Sequence, residues 1–129
     1  MNKDELNRIS GIILDCSIEV HRQLGPGLLE SVYEKCLFKE LRNRKLYVER
    51  QVPLPVIYKG EKLEADFRID LLVEKEIIVE LKAVEVTLPV HEAQLLTYLK
   101  LSEKRLGLLI NFNVPKLTNG FKRMINGYF

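Results

Sequence analysis

The chain has 129 residues, 47% of them hydrophobic and 29% charged, and its formal net charge is +2. This composition is typical of a globular protein and predicts one domain over residues 1–129. No apolar run approaches the about 20 residues that span a bilayer, and the first residues, MNKDELNR, lack the apolar segment of a signal peptide. We therefore expect a cytoplasmic protein that does not bind membranes, and the nearly balanced charge does not by itself indicate a nucleic-acid binder.

The first third of the sequence predicts two amphipathic helices. The first covers residues 2–24, with Asn2 as its capping residue, and ends at Gly25-Pro26-Gly27. The second runs from about Leu28 to Arg44. Glu30 lies in its first turn, where the helix dipole favours a carboxylate, and the spacing alone gives this structural role and a catalytic role equal weight. Helical spacing predicts a buried face made of Leu29, Val32, Tyr33, Cys36, Leu37 and Leu41.

Three strands are expected next. The first, from Tyr47 to Tyr58, contains Pro53 and Pro55, which indicate an edge strand or a bulged one. The second covers Leu63 to Val73, and the third covers Ile77 to Ala83.

A third helix is predicted from Pro89 to Ser102, since proline suits the first turn of a helix. The apolar run from Leu106 to Phe112 is typical of a central strand covered on both faces. The tail is expected to end in a short helix. The order of helix, helix, three strands, helix and strand predicts the α/β class, with a mixed sheet flanked by helices.

Three charged residues, Asp70, Glu80 and Lys82, lie in or beside the apolar runs of the second and third strands. Burying a charged group costs several kcal/mol unless it is paired or bound to a metal ion. Because side chains alternate along a strand, Glu80 and Lys82 point to the same face. These residues are therefore candidates for a functional site.

The turn between these two strands decides whether Asp70 joins Glu80. A two-residue turn would place the two carboxylates on opposite faces. A three-residue turn over residues 74–76 would pair Val73 with Ile77 and set Asp70 directly across from Glu80, with Cβ atoms about 5 Å apart. A shared site therefore requires the three-residue turn.

In that register one side of the hairpin would be hydrophobic core and the other a charged cleft. Arg68 would face Lys82, and Asp66 and Glu64 would continue the polar row. Neighbouring carboxylates repel each other, so a divalent cation would neutralise them. Oxygen ligands without His or Cys favour Mg²⁺ or Mn²⁺ over Zn²⁺.

The third helix carries a polar stripe of His91, Gln94 and Tyr98. If this helix packs on the charged face, Gln94 would orient a substrate phosphate or a water molecule, and Tyr98 would line the groove. A partly exposed stripe without a function is an equal alternative.

The pattern of an Asp, nine residues, then Glu-x-Lys, followed by Gln-x-x-x-Tyr on the next helix, resembles the PD-(D/E)XK nuclease superfamily. The superfamily's core of helix, three strands, helix and strand, the restriction-endonuclease-like fold, matches the predicted order, here with an extra N-terminal helix. Residues 27–33, GLLESVY, resemble the G-x-x-E-x-x-Y signature of a family of small, mostly uncharacterised prokaryotic proteins. The segments VELKAVE, HEAQLLTYLK and LGLLINF extend the resemblance over nearly the whole chain.

The resemblance implies a set of metal ligands. Asp70 would be the main ligand and Glu80 its partner, Glu30 would add a third acid, and the backbone carbonyl of Leu81 would complete the coordination. One departure is that Ile69, and not proline, precedes Asp70.

The resemblance also implies catalytic and substrate-binding roles. Lys82 would position or help to deprotonate the attacking water and stabilise negative charge in the transition state. Gln94 and Tyr98 would correspond to the Gln-x-x-x-Tyr motif, and Arg68 would contact the substrate. Candidates for further phosphate contacts are Arg42, Arg44, Lys45, Lys116, Lys122 and Arg123.

The leading hypothesis is therefore a nuclease that hydrolyses DNA with Mg²⁺ or Mn²⁺. The alternative is a catalytically silent nuclease-like domain that binds nucleic acid or protein, which the minimal length and nearly balanced charge favour. A third interpretation is a buried ion-pair network of Asp70, Glu80 and Lys82, with Arg68 supplying the remaining positive charge. The sequence leaves open DNA versus RNA, strandedness, endo- versus exonuclease action and the oligomeric state, a homodimer included.

Overall fold

The computed structural model describes residues 1–64 and 67–128. Between its helices and strands, this part of the chain also contains one short 3-10 turn, Leu117–Gly120. In chain order the elements are α1 (Lys3–Leu24), α2 (Glu30–Asn43), β1 (Val48–Pro53), β2 (Val56–Tyr58), β3 (Glu61–Leu63), β4 (Arg68–Val73), β5 (Ile77–Lys82), α3 (Pro89–Ser102), β6 (Leu106–Asn111) and β7 (Phe121–Ile125).

The helix ends follow signals that the sequence carries. Asn2 caps α1 as predicted, and its side-chain oxygen accepts a hydrogen bond from Glu5 N–H at 2.9 Å. Gly25 ends α1 with a φ of 68° and donates its N–H to the His21 carbonyl at 2.8 Å. α3 has the predicted bounds, with Pro89 in its first turn. No helix among the described residues is long and apolar enough to cross a membrane.

Five strands form a mixed sheet in the order β1-β4-β5-β6-β7. All neighbours are antiparallel except β5 and β6, which are parallel. Two parallel neighbours require a crossover connection, and α3 supplies it. The predicted α/β class is thereby confirmed, and the arrangement is consistent with a restriction-endonuclease-like fold.

Helices cover both faces of this sheet. The strands β5 and β6 are therefore buried on both sides, as their apolar runs predict. The core beneath α1 and α2 includes Leu6, Ile13, Tyr33, Leu37, Leu71, Val79, Leu81 and Leu108. The core beneath α3 includes Leu54, Ile69, Leu72, Ile78, Leu95, Tyr98, Leu99 and Leu109.

The prediction that one whole face of the β4–β5 hairpin is a charged cleft is wrong. Leu72 and Ile78 on that face are 8% and 0% exposed and pack in the same core as Leu95 of α3. The crossover between β5 and β6 brings α3 over this face, so the centre of the hairpin needs apolar side chains there. Polar groups are confined to the end where Asp70 and Glu80 lie.

Three strands of the main sheet, β1, β4 and β5, precede α3 as predicted, but the described residues also form two further short strands, β2 and β3, between them. The predicted first strand, residues 47–58, divides into β1 and β2, and β2 pairs with β3 in a separate two-stranded sheet. Pro53 and Pro55 explain the division because proline has no N–H for a strand ladder. The predicted second strand divides into β3 and β4, and Asp66, which was assigned to the polar row, lies outside the described residues.

Two expectations for helical segments also differ from the structure. Leu29 and Val32, predicted on the buried face of α2, are 73% and 36% exposed. Leu29 is the N-cap and lies outside the helix, and Val32 is one position away from the stripe that packs on the sheet. The tail forms only the 3-10 turn and then β7, which pairs with β6 as an edge strand. The buried residues of α2 are Tyr33, Glu34, Leu37 and Leu41.

Candidate active site

The turn between β4 and β5 has the three residues that a shared carboxylate site requires. Residues 74–76 form the turn, Val73 pairs with Ile77, and the antiparallel pairs continue in this register as far as Leu71 and Val79. One position beyond the last backbone pair, the same register sets Asp70 opposite Glu80. The predicted register is therefore confirmed.

Side chains replace backbone pairing where the two acids meet. Asp70 N–H donates to Glu80 Oε1 at 3.2 Å, and Leu81 N–H donates to Asp70 Oδ2 at 2.8 Å. The strand is irregular here, because Ile69 packs in the core under α3 whereas Leu71 packs in the core under α2. Two main-chain donors that a regular ladder would satisfy are thus satisfied by carboxylates, which holds both acids in place.

Burial raises the pKa of both carboxyls. Glu80 is 6% exposed, and desolvation, together with the nearby Asp70 carboxylate, raises its pKa from 4.5 to about 9. Desolvation also raises the pKa of Asp70, and the Glu34 carboxylate adds to this rise. The positive charge of Lys82 lowers both pKa values but does not offset the burial. A buried acid beside a half-buried one, Glu80 and Asp70, favours the binding of a cation.

The ion-pair network that was the third interpretation of the sequence is not formed among the described residues. The ion pairs within residues 1–64 and 67–128 join neither Asp70 nor Glu80 to Lys82 or Arg68. Arg68 pairs in the sheet with Pro53, and its Nη1 donates to the Gln51 carbonyl at 3.4 Å. The expectation that Arg68 faces Lys82 is wrong, because the pairing of β4 with β5 ends before it reaches Arg68.

A cleft of about 370 Å³ opens beside Asp70, between α2 and the strands β1, β4 and β5. Glu30, which the resemblance assigns as a ligand, lies in this cleft together with Glu34, one helical turn further along α2. Three acidic residues from two elements therefore surround the same space. The full lining is Glu30, Ser31, Glu34, Arg50, Gln51, Asp70 and Leu81.

Glu34 is a buried acid that the sequence analysis missed. It is 6% exposed, and its Oε2 accepts hydrogen bonds from Arg50 Nη2 at 3.1 Å and Arg50 Nε at 3.2 Å. Its Oε1 accepts from Gln51 Nε2 at 2.6 Å. The four-residue spacing from Glu30 was a usable signal, since it puts both acids on one helix face. Nothing in the sequence indicated that β1 would bring Arg50 and Gln51 to this acid.

Gln51 connects Glu34 with Asp70. Its Nε2 lies 3.5 Å from Asp70 Oδ1, and its φ of 51° interrupts the pairing of β1 with β4. The register is the same on both sides of Gln51, so no extra residue is inserted, and of the two predicted alternatives β1 is the edge strand rather than the bulged one. A left-handed residue other than glycine stores strain, and such strain concentrates at functional sites.

Lys82 is the last residue of β5 and is half-buried. Its main chain is fixed by the neighbouring connection, since Phe112 N–H donates to the Lys82 carbonyl at 2.9 Å. The charge of Lys82 acts on both Asp70 and Glu80, which places its ammonium group in their neighbourhood. It does not line the cleft.

The polar stripe of α3 divides into two parts. Gln94 Nε2 donates to the Tyr98 hydroxyl at 3.1 Å, and burial raises the pKa of Tyr98, with further contributions from Glu80 and Asp70. Tyr98 is therefore close to the acids, although neither it nor Gln94 lines the α2 cleft. His91 caps the start of α3 instead, and its Nδ1 accepts the Leu88 N–H at 3.1 Å.

The acids and the Leu81 carbonyl offer oxygen ligands only, a donor set that fits Mg²⁺ or Mn²⁺. The structure brings Glu30, Asp70 and Leu81 to one cleft, and Glu80 adjoins it through its hydrogen bond with Asp70. Within the described ranges, no three His, Cys, Asp or Glu residues already form a metal-binding group. The assignment of individual ligands stays a prediction.

A model of the PD-(D/E)XK nuclease superfamily matches residues 7–124. Because the matched residues make up most of the chain, the chain belongs to the PD-(D/E)XK nuclease superfamily. Members of this superfamily are generally hydrolases that act on nucleic acids, and they typically use divalent metal ions. No curated protein and no solved structure matches the chain.

Proposed function

We propose that this protein is a Mg²⁺-dependent nuclease that hydrolyses phosphodiester bonds of DNA. The observation that carries the proposal is the placement of Asp70 across from Glu80, both with a raised pKa, at the edge of a cleft that also holds Glu30. Buried acids without an ion pair, next to open space, favour a cation, and superfamily membership makes a nucleic acid the natural substrate. We further assign the chain to the G-x-x-E-x-x-Y family of prokaryotic cytoplasmic proteins through residues 27–33.

Asp70, Glu80, Glu30 and the Leu81 carbonyl would hold the metal ion. When bound, the ion supplies positive charge that activates water and stabilises the charge developing on the phosphate. With its pKa near 9, Glu80 carries a proton at neutral pH in the metal-free protein. This proton must leave when a cation is bound, because only the carboxylate is a good ligand.

Lys82 would stabilise negative charge in the transition state and orient the attacking water. Lys82 is half-buried beside the two acids, so its charge is less screened and interacts more strongly with neighbouring groups than it would in bulk solvent. Gln94 and Tyr98, joined to each other by a hydrogen bond, would orient the substrate from the α3 side. Arg68, exposed near Gln51, would contact a phosphate.

The experiment compares wild-type protein with Asp70→Asn and Lys82→Ala on plasmid and linear DNA, with Mg²⁺, Mn²⁺ or EDTA. The wild type should cleave only with a divalent ion, and each variant should lose at least about 100-fold in rate. Matched controls are Asp15→Asn and Lys100→Ala, which remove the same charges elsewhere. Cleavage by Asp70→Asn or Lys82→Ala at the wild-type rate would refute the proposal.

A second candidate is a nuclease-like domain that binds nucleic acid or protein without cleaving it. It is favoured by the hydrogen bonds that Asp70 and Glu80 make to main-chain N–H groups, because these give both acids a structural use. Calorimetric titration with Mn²⁺ separates the two candidates. Mn²⁺ uptake that is lost in Asp70→Asn supports the nuclease, and absence of uptake supports the binding domain.

A further inference from the structure

We propose that the nucleic-acid strand extends from the Asp70 cleft along α2 to a second, basic cleft at the C-terminal end of this helix. We call this surface the α2 track and define it by Arg50, Phe38, Arg42, Lys45 and Tyr47. The inference rests on the proposed function, because it places the substrate of that same site.

One aromatic ring joins the two clefts. Arg50 lines the Asp70 cleft, and its Cζ lies 5.6 Å from the centre of the Phe38 ring. Arg42 lies over the same ring, with its Cζ 5.5 Å from the centre. Arg42 in turn lines the second cleft, so the Phe38 ring contacts one cation from each of the two clefts.

The second cleft has the chemistry of a nucleic-acid subsite. It encloses about 450 Å³ and is lined by Arg42, Lys45, Leu46 and Tyr47. Tyr47 is 51% exposed, and Lys75 Nζ lies 5.5 Å from the centre of its ring. Cations beside an accessible aromatic ring suit phosphate contacts combined with base stacking.

The charges along the α2 track favour a polyanion. Arg42 and Lys45 form no ion pair and no side-chain hydrogen bond with any described residue, so both remain available for a ligand. Arg50 is paired with Glu34, and Glu74 accepts the Tyr47 N–H at 2.6 Å. Around the second cleft the three cations Arg42, Lys45 and Lys75 face one carboxylate, Glu74, so this end of the α2 track has an excess positive charge of +2.

The geometry also gives the length of nucleic acid that the α2 track can contact. Glu34, Phe38 and Arg42 are four residues apart and therefore form one stripe along α2. The eight steps along the helix from Glu34 to Arg42 span about 12 Å at about 1.5 Å per residue. A strand in duplex form rises about 3.4 Å per nucleotide, so the α2 track covers about three to four nucleotides beyond the cleft.

The test uses the double variant Arg42→Gln with Lys45→Asn. Glutamine keeps the aliphatic part of the side chain near Phe38, and asparagine tolerates the φ of 68° at position 45. Lys100→Gln with Lys104→Gln removes the same charge from the end of α3 and serves as the matched control. All proteins carry Lys82→Ala, so that binding of labelled DNA, single-stranded and duplex, is measured by fluorescence anisotropy without cleavage.

We expect the α2 track variant to bind about tenfold more weakly than the control at about 0.1 M salt. The slope of log Kd against log salt concentration should fall by about 1.4 to 1.8, the value for two lost phosphate contacts. An affinity and slope equal to those of the control would overturn the inference, as would the absence of DNA binding by the parent protein. Weaker binding by this variant would support the α2 track whether or not the wild-type protein cleaves DNA in the separate cleavage assay, and an inactive wild type would reject only the nuclease proposal.

Discussion

The main-chain N–H of Leu81 donates a 2.8 Å hydrogen bond to Oδ2 of Asp70, across the end of the β4–β5 hairpin. A proposed metal ligand thus also completes the sheet, because its carboxylate takes the place of a backbone acceptor. Function and stability can be separated at this position by the choice of substitution.

Asp70→Ala should lower the free energy of unfolding by about 1–3 kcal/mol, since Leu81 is 1% exposed and its N–H would lose its partner. Asp70→Asn keeps an acceptor oxygen and should stay closer to the wild type. Both should abolish metal-dependent cleavage. Urea denaturation in EDTA measures the difference, and equal unfolding free energies for the two variants would contradict the structural role.

The stability of the metal-free protein should fall as the pH rises. The pKa of Glu80 is about 9 in the folded protein, and 4.5 is its ordinary value, which applies to the unfolded chain. Between pH 4.5 and pH 9 the folded chain therefore holds a proton that the unfolded chain has released. The folded state is therefore favoured at low pH, and this contribution is lost as the pH rises toward 9.

Glu80→Gln removes the ionisation and should flatten this decline in the melting temperature, measured in EDTA. Glu85→Gln, at an exposed position, is the control and should keep the wild-type slope. At high pH, Mg²⁺ should raise the melting temperature of the wild-type protein, because the ion binds the Glu80 carboxylate. Mg²⁺ should not raise the melting temperature of Glu80→Gln, which lacks this carboxylate. If the melting temperature of Glu80→Gln declines with pH as steeply as that of the wild type, a group other than Glu80 causes the decline.

Gln51 should contribute to activity more than to stability. Gln51→Gly relieves the left-handed strain at φ 51° but removes the link between Glu34 and Asp70. We expect its unfolding free energy to stay within about 1 kcal/mol of the wild type, and cleavage to fall about tenfold. Gln51→Ala loses the link and keeps the strain, so it should be less stable than Gln51→Gly, as thermal denaturation would reveal.

Tyr98→Phe tests the contribution of α3. It removes the hydroxyl that accepts the Gln94 hydrogen bond and leaves the buried ring in place. If the pair orients the substrate, kcat/KM should fall several-fold with a change in melting temperature of less than about 3 °C. Thr97→Ser, on the exposed side of the same helix, is the control. Unchanged kinetics in Tyr98→Phe would limit Gln94 and Tyr98 to packing.

Sequence patterns predicted those parts of the fold that depend on residues close to one another in the sequence. The bounds of α3 follow from the proline at its first turn and its apolar spacing. The pairing of Val73 with Ile77 was one of two registers that strand alternation left open, and the structure has the one that a shared site requires. The α2 face was mispredicted at Leu29 because helical spacing does not tell where a helix begins. The roles of Asp70 and Glu80 remain predictions.

The features that the sequence did not reveal, the role of Glu34 and the division of two strands, have the same physical cause. Glu34 reads as an ordinary helical acid until β1 places Arg50 beside it, sixteen residues further along the chain. The division of the predicted first two strands likewise depends on a separate pairing of β2 with β3. Contacts between elements override local preference, and a single sequence does not record them.

The left-handed bend at Gln51 lies on β1, the outermost strand on one side of the sheet. An outer strand offers a row of unused N–H and C=O groups on which the strand of another molecule can assemble. The bend, followed by Pro53, breaks this row, and on the opposite side β7 carries the exposed charges of Lys122 and Arg123. The irregularity beside the cleft therefore also interrupts an edge on which another strand could pair, and straightening β1 should lower solubility together with the proposed nuclease activity.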